Sequence, residues 1–112
     1  GEVDLHGWLQ EHRIGEIVVC GIQTNRCCET TARVGGDLGY AVRFVLDATH
    51  TFDASAHDGG PLPAELLAGV TAANLHNHCA QVMTTEQVFP TRPPHVTSRL
   101  ATGALPSVWA GE

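Results

Sequence analysis

Residues 17–40 read IVVCGIQTNRCCETTARVGGDLGY, and this stretch decides the fold. Ile17-Val18-Val19-Cys20 is a short, unbroken apolar run rich in β-branched residues. Such a run fits a strand buried on both faces, as in a parallel sheet. Gly21 to Asn25 makes a turn, and residues 26–38 follow as a helix that Gly39 can close. A turn that passes straight into a helix leaves backbone N–H groups unpaired at the helix start. Those groups and the helix dipole favour negative charge. Cys27 falls in or near the first helical turn, where a thiolate is stabilised and becomes a better nucleophile. The same N–H groups can hold the oxyanion of a tetrahedral intermediate. Ligands bind at the carboxyl ends of strands in open parallel sheets. Cys27 is therefore a candidate nucleophile for acyl transfer or hydrolysis; the competing reading is a small buried hydrophobe.

On either side the pattern repeats. Residues 4–12 read as a short helix, with Asp4 as N-cap and Leu5, Trp8 and Leu9 at helical spacing. Residues 41–46 form a second buried strand, and 47–63 a long polar loop. Residues 64–78 form a second substantial helix and 80–83 a third short strand. Thr84 or Thr85 caps a last turn carrying Glu86 and Val88. From Pro90 onward Pro, Thr and Ser dominate, which reads as a tail with little fixed structure. Helices alternating with strands imply right-handed crossovers and a three-layer α-β-α fold around a parallel sheet. Three strands make a small sheet of this kind, and a helix opens the chain. The layout suggests half of a larger domain, residues 1–89, followed by a Pro/Ser/Thr-rich tail, 90–112.

Composition sets the outer limits. The chain has 112 residues, enough for one domain. Apolar residues make up 43%, which suffices for a core. The net charge of −6 gives no basic footprint for nucleic acid. No apolar run is long enough to cross a membrane, and the N-terminus lacks a signal-peptide pattern. Cys20, Cys27, Cys28 and Cys79 form no small-domain disulfide pattern, so a reducing cytosol is the expected location. All 6 basic residues are arginines. A mechanism that needs lysine cannot be completed by these residues alone.

The segment around Cys27 resembles the nucleophile motif of the isochorismatase-like cysteine hydrolases, a family that includes nicotinamidases and N-carbamoylsarcosine amidohydrolase. The matching residues are the apolar strand at 17–19, Gly21, Thr24, Cys27, Thr31-Ala32-Arg33, Gly39-Tyr40 and Asp47-Ala48. The likeness runs roughly from residue 4 to 88. It implies a Rossmann-like sheet ordered 3-2-1-4-5-6, of which this chain holds the second half. It implies that Cys27 forms a thioester with a small-molecule amide, carbamoyl or related group. It further implies an oxyanion hole from the amides of Gln23 and Cys27, and a cis peptide bond between Ile22 and Gln23. The family's catalytic aspartate would precede Gly1, and its lysine is missing from the composition, so this chain alone is expected to be inactive. Relatives form dimers and tetramers, which makes a homo-oligomer the expected state.

Other residues carry plainer readings. Cys28, Cys20 and Cys79 are expected to pack, and Trp8 to sit in the core. Asp47 is expected to cap loop N–H groups, and Arg33 to form a structural ion pair. His50 and Phe52, on the loop with Asp53 near the strand ends, either line a substrate pocket or pack at a subunit contact. The seven histidines show no zinc spacing, so no metal and no cofactor are expected. The alternative function is a non-catalytic α/β module that binds a small molecule or a partner chain, which the absence of lysine favours.

Overall fold

The computed structural model describes residues 4–90 and 107–110. Helix α1 spans Leu5–Glu11, and the Asp4 carboxylate accepts the Gly7 amide at 2.9 Å as its N-cap. This cap sets the helix so that Leu9 is buried, which turns Trp8, about 100° away around the helix, outward. Trp8 is 43% exposed, its ring stacked on His12 with centroids 4.1 Å apart, so it is not the core residue its spacing suggested.

Strand β1, Glu16–Ile22, holds Ile17, Val18 and Val19 fully buried, as a strand covered on both faces requires. A π-helical turn, Thr24–Cys28, follows at once and runs into α2, Glu29–Asp37. The expected single helix over 26–38 is thus two pieces, with the wider one first. Gly39, at φ +95°, ends the helix in a conformation that favours glycine. Strand β2, Ala41–His50, buries Val42, Phe44 and Val45. It runs four residues past the expected end at Leu46, so His50 lies on a strand and not on a loop. Inside the expected loop, β3 (Ala54–Ser55) and β4 (Pro61–Leu62) pair antiparallel.

Helix α3, Ala64–Leu75, stops before the expected His78. The chain breaks there through His76, in an extended conformation, and Asn77, at φ 62°. Strand β5, Gln81–Met83, and helix α4, Thr85–Val88, complete the unit. Thr84 and Gln87 form a full capping box at the start of α4.

The last strand, β6, is Ser107–Ala110. It corrects the reading of everything after Pro90 as an unstructured tail; residues 91–106 lie outside the described residues. The physical reason is an edge. β1 pairs with β2 on one side, and its other side would present a row of free N–H and C=O groups. β6 pairs there in parallel, Glu16 with Ser107 through Val19 with Ala110. The sheet order is β5-β2-β1-β6, and every pairing in it is parallel. The fold is α/β, a parallel sheet flanked by helices. Leu9, Ile17, Val19, Ala32, Val42, Phe44 and Leu75 form one contiguous core with Cys28. Full burial of each large side chain contributes about 1.5–3 kcal/mol.

Candidate active site

The carboxyl ends of β1 and β2 carry the candidate site, and an irregular pairing shapes it. Val19 pairs with Phe44, but Gly21 pairs with Thr49 and Ile22 with His50, so β2 carries a bulge between them. Gly21 adopts φ +115°, a conformation that favours glycine. The peptide bond between Ile22 and Gln23 is cis. The bulge brings Thr49 under the π-turn. The Thr24 hydroxyl donates to Thr49 Oγ1 at 2.8 Å, and Thr49 donates to the Leu46 carbonyl at 2.7 Å. Beside them the Thr51 hydroxyl donates to Asn25 Oδ1. Thr24 and Thr51 are both buried and their partners half-buried, so water competes only in part for these bonds.

The backbone of the turn is wider than an α-helix. The Gln23 carbonyl accepts the amides of Arg26 and Cys28, on either side of Cys27. Glu29 N–H closes the turn onto the carbonyls of Thr24 and Arg26. Short π-helical segments are rare and frequent at functional sites. Within this one the two adjacent cysteines take opposite roles. Cys28 is buried in the core, its thiol 3.8 Å from the Cys20 carbonyl, while Cys27 is exposed. Cys27 therefore meets solvent at the strand ends, in the turn before α2 and not in α2 itself.

Glu29 fixes the far end of the turn. Its Oε1 accepts the Thr71 hydroxyl at 2.6 Å, and its Oε2 accepts Arg33 Nε at 3.0 Å. Arg33 is thus in an ion pair, one turn along α2 from its partner. Asp47 accepts both the amide and the hydroxyl of Thr85, at 2.7 and 2.9 Å, and so ties β2 to α4. Asp53 accepts the Ala64 amide at 2.8 Å and caps α3.

His50 and Phe52 meet edge to face, ring centroids 4.8 Å apart, on the surface. Through its register partner Ile22, His50 stands next to the start of the turn. They line neither of two hollows farther away. One, apolar and about 280 Å³, lies between α1 and α2 over Leu9 and Ile17. The other, about 430 Å³, lies at the opposite ends of the strands, around Arg43 and Cys79. Cys79 packs against the core. Among the described residues no three His, Cys, Asp or Glu side chains cluster as a metal site, and no helix is long and apolar enough to cross a membrane.

The sequence brought out Cys27, Gln23, His50 and Phe52 but not Asn25, Glu29, Thr49, Thr51 or Thr71. Glu29 had a readable signal, since a glutamate four residues before an arginine at a helix start pairs locally. The threonines had none, because their bonds join segments 25 to 42 residues apart.

Comparison with known proteins agrees with this geometry. The isochorismatase domain profile matches residues 2–87. The isochorismatase family protein YrdC of Bacillus subtilis is 29% identical over 86 residues, which cover 77% of this chain and 46% of YrdC. Nicotinamidase 3 of Arabidopsis thaliana is 44% identical over 50 residues, 45% of this chain and 25% of that protein. Among solved structures, a cysteine hydrolase from Pseudomonas syringae superposes with a TM-score of 0.73 at 31% identity, covering 78% of this chain and 41% of that one. The chain spans less than half the length of these relatives. With the profile matched over most of its length, and the strand-turn-helix around Cys27 in place, the chain belongs to the isochorismatase-like hydrolase family.

Proposed function

We propose that the chain carries the nucleophile half of a cysteine hydrolase that acts on a small-molecule amide, carbamoyl or related bond. The observation that supports this reading best is the contrast between Cys27 and Cys28. In one turn, one thiol is packed in the core and the other is held out at the strand ends. In this reading the Cys27 sulfur adds to the carbonyl carbon. The amides of Gln23 and Cys27 hold the oxyanion. Collapse of the adduct breaks the carbon–nitrogen bond, the amine leaves with a proton, and water hydrolyses the thioester. The proton-transferring aspartate and the lysine that the resemblance implies are not assigned among these 112 residues, which hold no lysine. His50 and Phe52 form one wall of the substrate site, with an aromatic face beside the turn. The same reading places the protein in the cytoplasm as a homo-oligomer, with no cofactor.

Alkylation tests the assignment. Iodoacetamide rates are measured at each cysteine by mass spectrometry, in the folded chain and in urea. Exposure alone cannot make a thiol react faster folded than unfolded. Cys27 is expected to react at least threefold faster in the folded chain, and Cys20, Cys28 and Cys79 more slowly than in urea. A folded rate at Cys27 no higher than its unfolded rate would falsify the nucleophile reading and leave the binding-module alternative.

A further inference from the structure

We propose that Glu29 is the positioning residue for Cys27, holding the reactive turn against α3; the inference rests on the nucleophile reading above. Glu29 acts on the turn twice. Its backbone N–H bonds to the Thr24 and Arg26 carbonyls and so closes the wide loop that contains Cys27. Its side chain then fastens that closing point to a different element. Oε1 accepts from Thr71, a buried residue on α3, at 2.6 Å. Oε2 accepts from Arg33 at 3.0 Å, with Asn74 Nδ2 at 3.5 Å.

The strength of these bonds follows from their setting. A charged acceptor makes shorter and stronger hydrogen bonds than a neutral one. The Glu29 side chain is only 15% exposed, so water competes weakly for it. The other end of the turn is already held by Thr24 on Thr49 and Asn25 on Thr51. Without Glu29 the far end of the turn would lose its link to α3 and keep the buried Cys28 side chain as its anchor. Cys27, two residues from the lost link, would sample orientations away from the one that the nucleophile reading requires. A misplacement of about 1 Å in a reacting group can cost about a hundredfold in rate.

Arg33 has a second part in the arrangement. A bare carboxylate two residues from the thiol would repel the charge that a nucleophilic sulfur carries. The guanidinium at 3.0 Å balances it. Arg33 is exposed and makes this bond along its own helix. Its task is therefore charge balance, while Thr71 supplies the mechanical link between helices.

The test uses the full chain and the same alkylation readout, with folding followed by circular dichroism. Glu29→Ala is expected to slow Cys27 labelling about tenfold in the folded protein and to leave Cys20 and Cys79 within twofold. Glu29→Gln, which can still accept from Thr71, is expected to stay within threefold of the parent. Thr71→Val keeps the side-chain volume and removes the 2.6 Å bond, so it serves if Glu29→Ala does not fold; about a fivefold slowing is expected. A purely structural Glu29 would lower the melting temperature and leave folded-state labelling of Cys27 at the parent rate. That result, or a parent rate in Thr71→Val, overturns the proposal. Parent labelling of Cys27 that is no faster folded than unfolded overturns the nucleophile reading instead, before any variant is compared.

Discussion

Thr24 shows how one buried hydroxyl can carry both stability and site geometry. It donates to Thr49, and Thr49 in turn donates to the Leu46 carbonyl, so the bond at the turn also closes the β2 bulge. Thr24→Val would keep the shape and remove the donor to the half-buried Thr49 hydroxyl, which keeps its own bond to Leu46. Loss of one such hydrogen bond costs about 0.5–1.5 kcal/mol. Urea unfolding is expected to show a loss in this range for Thr24→Val, and less than half of it for Thr24→Ser, which retains the donor. Equal losses for the two would mean that packing of the threonine methyl, and not the hydroxyl relay, sets the effect. Cys27 was readable because its surroundings are local: a β-branched run, a glycine turn and a helix start lie within a dozen residues. The Thr24–Thr49 bond was not, because nothing in the local pattern of Asp47-Ala48-Thr49-His50 announces a bulge.

The same division between local and non-local information holds for whole elements. Strand β1, strand β2 and helix α2 follow from apolar runs and glycine punctuation, and each is found at its expected place. Their ends are less legible. β2 gains four residues because Gly21 and Ile22 offer it partners, a tertiary cause invisible in a polar stretch. α3 stops at Leu75 because the chain must turn back into β5, although its residues could continue as a helix. Trp8 fell on the wrong face because Leu5, Trp8 and Leu9 satisfy helical spacing whichever of them leads. Close approach between elements gives a prediction at this scale. A Cβ at Gly36 would lie 2.5 Å from the Cys79 backbone oxygen, where α2 passes the turn before β5. A Cβ at Gly35 would lie 2.9 Å from the tip of Ile17 and 3.1 Å from a Val42 methyl. Side-chain tips can rotate aside, and a backbone carbonyl held in a turn cannot. Gly36→Ala is expected to cost about 1–3 kcal/mol. For Gly35→Ala the helix-propensity gain of up to about 1 kcal/mol offsets the crowding, which leaves stability near the parent. Thermal melts of the two variants check the order, and a Gly36→Ala chain as stable as Gly35→Ala would contradict it.

At the scale of the whole molecule the central question is what holds the outer edge of β1. β6 covers Glu16 to Val19, and Gly21 and Ile22 pair only with β2 among the described residues. The half of β1 that leads to Cys27 is therefore held by one neighbour, and the half that carries the core is held by two. Deletion of residues 91–112 would remove the second neighbour while leaving the Glu29–Thr71 link and the threonine relay untouched, since all of their atoms lie before residue 91. Free strand edges pair with other chains, so the shortened protein should self-associate more strongly than the parent. Hydrogen exchange read by mass spectrometry is expected to show faster deuterium uptake across 16–19 after the deletion, with uptake over Glu29–Asp37 unchanged. Light scattering is expected to report a larger mass for the shortened chain at equal concentration. Unchanged uptake across 16–19 would show that β6 does not protect β1 in solution. In that case the exposed edge, and not the tail, is the feature that any partner of this sheet would meet first.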